Sequence, residues 1–135
     1  GNVIGGSRRS VIPQDTFSGN SGYGIAITGR AHGNRVTTAF VGTAILGVNA
    51  LANQRGGILI GGSAAGNSIG LARSPVPANL ISGNHGIGVT LARGTRRNDV
   101  LRNFIGRGRF GRPLPNTGGA VRDAGLGNVV RGNRT

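Results

Sequence analysis

The segment from Ser18 to Gly42 recurs 64 positions later as Ser82 to Gly106, with nine of 25 positions identical. Ser18-Gly19-Asn20 matches Ser82-Gly83-Asn84, and Gly22 and Gly24 match Gly86 and Gly88. Asn34, Val36, Phe40 and Gly42 then match Asn98, Val100, Phe104 and Gly106. Three further pairs, Ile25/Val89, Ile27/Leu91 and Val41/Ile105, keep an apolar side chain. With small indels the likeness runs on through Asn53 and Gly57 against Asn116 and Gly119, and through Asn67-Ser68-Ile69 against Asn128-Val129-Val130. Asn2-Val3-Ile4-Gly5 opens the chain in the same phase. The chain, 1–135, therefore reads as one segment of about two units of 61–65 positions each, roughly 2–66 and 67–128, with the start of a third. A chain that repeats in this way buries its apolar side chains by stacking like on like.

A finer spacing lies inside the unit. Val36, Ile58, Ile81, Phe104 and Val129 follow at steps of 22, 23, 23 and 25 positions, and Ile4, Ile25, Leu46 and Ile69 at steps of 21, 21 and 23. The local pieces, such as Gly24-Ile25-Ala26-Ile27-Thr28 and Gly88-Val89-Thr90-Leu91, are short, aliphatic and bounded by Gly or Asn, which is the signature of strands. Helical spacing is never sustained over ten residues. Gly and Asn at regular offsets supply the left-handed backbone that sharp corners need. The expected fold is all-β: a right-handed parallel β-helix, or solenoid, of about six coils of about 20–25 residues. Aromatic residues make up only 4% of the chain, which suits a narrow interior filled by columns of Ile, Val, Leu and Ala.

Composition removes whole classes of function. There is no Cys, so disulfide frameworks, thiolate metal sites and cysteine nucleophiles are excluded. There is no Glu, and the three Asp face 16 Arg with no Lys, for a formal net charge of +13. The 28 glycines have no three-residue period, which excludes collagen. No apolar run approaches the roughly 18 residues of a membrane span. Disorder is the competing expectation for a Gly-rich, charged chain, and the register of the apolar columns argues against it.

Asn79-Leu80-Ile81-Ser82-Gly83-Asn84-His85-Gly86-Ile87-Gly88-Val89, with Asn98-Asp99-Val100-Leu101-Arg102-Asn103-Phe104-Ile105-Gly106 after it, resembles the right-handed parallel β-helix repeats of the pectate-lyase-like superfamily. Phe17-Ser18-Gly19-Asn20, Gly56-Gly57-Ile58-Leu59 and Gly118-Gly119-Ala120-Val121 also look like motifs of bacterial polymorphic outer-membrane adhesins. The first resemblance covers nearly the whole chain. It implies an architecture, because such repeats specify corners and core columns, and that family holds lyases, hydrolases, tailspikes and adhesins alike.

Asn20/Asn84 and Asn34/Asn98 recur in register, so they are expected to stack at coil corners and bond one another along the axis. Arg93, Arg96, Arg97, Arg102, Arg107, Arg109 and Arg112 fall in one stretch, 93–112, that holds a single acid, Asp99. Their guanidinium groups are candidates for bidentate contacts to the carboxylates, sulfates or phosphates of a polyanion such as an acidic polysaccharide. Specific nucleic-acid recognition is not expected, since stacking aromatics and a recognition helix are missing. Asp15, Asp99 and Asp123 lie far apart, so no catalytic residue and no metal site is assigned. His32 and His85 have no second His at ligand spacing and read as loop residues, and Tyr23 aligns with Ile87 as a column or edge residue. Gly5-Gly6, Gly56-Gly57 and Gly61-Gly62 lack the Lys-Ser/Thr of a phosphate loop, and no cofactor is expected.

Neither end carries an evident cap, and Arg131-Gly132-Asn133-Arg134-Thr135 is still inside the pattern. Pro75, Pro77, Pro113 and Pro115 mark two longer loops, the places expected for specific contacts. The expected function is therefore a non-catalytic extracellular or cell-surface solenoid, stacking head to tail on itself or forming part of a larger adhesin-like protein. The alternative is a β-helix that binds an acidic polysaccharide through its arginines, or cleaves it as a lyase with an Arg base.

Overall fold

A computed structural model describes residues 1–6, 15–73 and 78–135 of the chain. Its strands fall on three faces. Face A holds β1 (Val3–Ile4), β4 (Arg35–Val36), β7 (Ser68–Gly70), β10 (Asp99–Leu101) and β13 (Val129–Arg131). Face B holds β2 (Asp15–Phe17), β5 (Ala39–Val41), β8 (Leu80–Ile81) and β11 (Phe104–Ile105). Face C holds β3 (Tyr23–Ile27), β6 (Gly56–Ile60), β9 (Ile87–Leu91) and β12 (Val121–Asp123). The chain visits A, B and C in strict rotation, and every pairing between these strands is parallel. No α-helix occurs among the described residues. This is a β-solenoid.

The expected six coils are corrected to about four, each of them longer than the sequence spacing suggests. Successive corner asparagines Asn2, Asn34, Asn67, Asn98 and Asn128 are separated by 32, 33, 31 and 30 residues. The shorter interval read from the sequence is real, but it is two faces of a three-faced coil. Ile4 lies on A and Ile25 on C, as do Val36 and Ile58. These steps cross two faces, about two-thirds of a turn, whereas Ile81 to Phe104 is one full coil on face B. Leu46 falls, 61% exposed, in the connection between β5 and β6, so the evenness of the spacing is partly coincidental. At about 4.8 Å per coil, the body is roughly 20 Å long.

The long repeat unit is two coils, and the reason lies in its connections. In the second and fourth coils A passes to B through a tight corner, Thr37–Thr38 and Arg102–Asn103, and the long connection falls between B and C. In the third coil the order is reversed, with the long connection before β8 and a short one, Ser82–Gly86, after it. Coils alternate in which corner carries the insert, so full similarity returns only after two of them. Pro113 and Pro115 lie in the fourth coil's long connection, while Pro75 and Pro77 fall outside the described residues.

The interior is a set of aliphatic columns. Val36, Ile69 and Val100 stack from face A, Val41, Ile81 and Ile105 from face B, and Ile58, Val89, Ile60 and Leu91 from face C, all buried. Contact between faces B and C is close enough to demand glycine. A Cβ on Gly57 would stand 2.4 Å from the Gly88 oxygen and 2.7 Å from Ile81 Cγ2. One on Gly88 would meet Asn116 Nδ2 and Ile105 Cγ2, both at 2.7 Å. Here the glycine serves close approach of neighbouring coils rather than a turn.

Candidate functional site

Asparagines hold all three corners. At the corner from C to A, the backbone N–H and side-chain Nδ2 of Asn2 both donate to Asn34 Oδ1 (2.9 and 3.2 Å). Asn34 donates to Asn67 in the same way (3.0 and 2.9 Å), Asn67 to Asn98 (2.9 and 3.0 Å), and Asn98 to Asn128 (2.9 and 3.1 Å). At the corner from B to C the rungs are Asn20, Asn53, Asn84 and Asn116. At the corner from A to B they are Asn79, Asn103 and Asn133. Asn20 and Asn84, and likewise Asn34 and Asn98, are thus two coils apart, with Asn53 and Asn67 standing between them.

These ladders have a direction. In every rung the N-terminal coil donates and the C-terminal coil accepts. The same amides also reach backbone carbonyls of flanking coils, as Asn84 Nδ2 does to Val41 O (3.0 Å) and Asn103 Nδ2 to Ile69 O (3.1 Å). Most of these asparagines are buried, so each bond is made away from competing water. Asp123 Oδ1 accepts from Asn128 Nδ2 (2.8 Å) and from Gly125 N (2.9 Å) at the C-terminal end of one ladder.

The seven sequence-selected arginines divide among three places. Arg93, Arg96 and Arg97 are exposed at the corner from C to A, and Arg102 is exposed at the corner from A to B, across strand β10. Arg107, Arg109 and Arg112 belong to a hairpin between faces B and C, closed by an antiparallel bridge from Arg107 to Pro113. Arg107 Nε donates to Thr135 O (2.7 Å) and its Nη1 to Gly111 O (3.1 Å), so this side chain ties the hairpin to the last coil. Arg97 and Arg102 have φ of 52° and 54°, at positions where the following coil has Gly127 (63°) and Gly132 (67°). A side chain at such a φ costs about 1 kcal/mol relative to relaxed backbone.

A second hairpin was not legible as a site. Residues 43–50, closed by a bridge from Thr43 to Ala50, project from the second coil as 107–113 project from the fourth. The coil between them has only its short connection there, so the hairpins meet: Arg109 N donates to Gly47 O (2.8 Å). Together they lie against the outer side of face B, with Gly47 packed on the ring of Phe40. Phe40 is consequently buried although it points away from the solenoid interior, and its outward neighbour Leu80 is buried as well. The hairpin tips expose Ile45 (74%), Leu46 (61%) and Phe110 (76%).

The acids do not converge. Asp15 is on face B of the first coil, while Asp99 and Asp123 are on faces A and C of the fourth. Among the described residues no group of three His, Cys, Asp or Glu stands together to hold a metal ion. His85 Nδ1 hydrogen-bonds Gln54 Oε1 at 2.8 Å on the surface, and His32 lies in the corner strip beside Ala65.

Compared with protein-family models, curated proteins and solved structures, the chain matches none. What stands is the parallel β-solenoid, on its own geometry. The resemblance to pectate-lyase-like repeats extends to that architecture.

Proposed function

We propose that the chain is a structural, non-catalytic module of an extracellular or cell-surface assembly, whose coils stack end to end on those of a second copy. The single observation that carries this reading is the one-way polarity of the asparagine ladders. Along each ladder an asparagine donates to the asparagine of the coil that follows and accepts from that of the coil before, so a coil of one copy meets a coil of the next as it meets its own neighbour. A contact of this kind is heterologous and does not close, and it produces a fibre or a shaft. The apolar columns behave alike: Val130 continues the column of Val36, Ile69 and Val100 but is 41% exposed in the last coil. The test is negative-stain electron microscopy over a dilution series, with Val130→Arg as the variant. Filaments a few nanometres wide are expected for the parent chain. For V130R we expect dispersed particles with a monomer stability within about 0.5 kcal/mol of the parent. Dispersed particles from the parent at every concentration would end the stacking reading.

A second reading, binding of an acidic polysaccharide, is favoured by one specific observation. Arg97 stands at a left-handed position that Gly33, Gly66 and Gly127 fill in the other coils. Strain held where glycine would relieve it points to use of the side chain, and Arg93 and Arg96 are its exposed neighbours. Arg97→Gly should weaken binding of dextran sulfate severalfold while stability stays level or rises by up to about 1 kcal/mol. Unchanged affinity would remove this reading.

A further inference from the structure

The paired hairpins on face B form a surface that neither stacking nor the corner arginines explain. Each is a tight loop whose tip should be polar, yet Ile45, Leu46 and Phe110 are exposed at 74%, 61% and 76%. Val48 and Leu51 add to the apolar surface at 40% and 50% exposure. The two tips are held together by the bond from Arg109 N to Gly47 O (2.8 Å), so this is one fixed patch contributed by coils two apart. Around it stand Arg109 and Arg112, both exposed, and the Arg109 guanidinium lies 5.9 Å from the centroid of the Phe110 ring. Neither hairpin contains an acidic residue. Exposed apolar tips beside exposed guanidinium groups suit an interface that is apolar in depth and anionic at its rim.

We propose that the 43–50 and 107–113 hairpins dock the solenoid on an anionic lipid surface. Leu46, Ile45 and Phe110 enter the boundary between headgroups and acyl chains, while Arg109 and Arg112 bond the lipid phosphates. Arginine suits this place because its stem packs on apolar surface while its planar head binds phosphate bidentately. Anionic headgroups supply the complementary charge, and each basic residue near such a surface strengthens binding severalfold. The proposal is independent of end-to-end stacking, since both hairpins lie on the side of the body and leave its ends free.

The experiment is co-sedimentation with sucrose-loaded vesicles, either of phosphatidylcholine alone or with roughly a third phosphatidylglycerol, with a control without vesicles to subtract any self-assembly. The parent chain is expected to pellet with the anionic vesicles and only weakly with the neutral ones. Leu46→Ser with Phe110→Ser leaves the charge unchanged and should weaken vesicle binding on the order of tenfold. Arg109→Ser with Arg112→Ser should lose a similar factor. Arg30→Ser with Arg122→Ser removes the same charge from exposed positions outside the two hairpins and should change binding little. All substituted side chains are exposed, so circular dichroism and melting should match the parent, and Phe110→Ser alone serves should a double variant fold poorly. The proposal is overturned if the serine pair at Leu46 and Phe110 binds anionic vesicles like the parent. It is equally overturned if both arginine pairs lose binding alike, which would reduce the effect to net charge. Preference for dextran sulfate with the same dependence on Arg109 and Arg112, and none on Leu46, would assign the patch to a soluble polyanion instead.

Discussion

Asn84 shows what one residue contributes here. Its Oδ1 accepts from Asn53 Nδ2 (2.8 Å), while its Nδ2 donates to Asn116 Oδ1 (2.8 Å) and to Val41 O (3.0 Å). The side chain is wholly buried, so truncation removes these bonds where water does not replace them. Asn84→Ala should therefore cost about 2–4 kcal/mol. Asn20, exposed in the first rung, donates its side-chain amide to Asn53 Oδ1 (2.7 Å), and Asn20→Ala should cost about 1 kcal/mol or less. Urea denaturation of both variants checks the contrast, and equal losses would mean that burial does not set the value of a rung. Recurrence in the sequence makes these residues visible as a class. It does not reveal that Asn53 and Asn67 belong to the same ladders, because the shifted inserts hide the single-coil period.

Among the elements, face B departs from the simple rule that a solenoid strand alternates core and solvent. The inward residues Val41, Ile81 and Ile105 are buried, but so are the outward Leu80 and Phe40, the latter under Gly47 of the 43–50 hairpin. The hairpins thus make a small second core outside the first. Phe40→Ala should cost about 3–5 kcal/mol, a loss typical of a central aromatic rather than of an outward-facing strand residue. Denaturant midpoints at unchanged m-value would report it, and a loss below about 1 kcal/mol would show the hairpins to be loosely seated. The alternation of insert positions also explains the hairpin pairing: the coil between them has its long connection elsewhere, so nothing separates the two tips.

For the body as a unit the governing balance is charge against stacking. Copies with a formal net charge of +13 repel one another, while hydrogen-bond ladders and apolar columns across a coil interface depend little on ionic strength. Raising NaCl from about 0.05 to about 0.5 M shortens the screening length severalfold, so filaments should form at lower protein concentration as salt rises. Light scattering across that range measures it. Polyanion binding carries the opposite sign and weakens with salt, so the two readings of the arginine-rich surface separate in one titration.

The order of amino acids alone specifies the class of structure. Apolar residues at steady intervals, Gly and Asn at fixed offsets and the likeness of Ser18–Gly42 to Ser82–Gly106 exclude every core except one built by stacking short strands. It also marks Asn20, Asn34, Asn84 and Asn98 as recurrent corner positions. The number of faces in a turn emerges only in three dimensions, because the apolar spacing suits a small coil and two-thirds of a larger one equally. Closure of a coil is a non-local condition, met here when Asn2 reaches Asn34 and Val36 comes to lie under Ile69. Likewise the meeting of Gly47 with Arg109, 62 positions apart in the chain, depends on a neighbouring coil leaving room, and no local pattern encodes that.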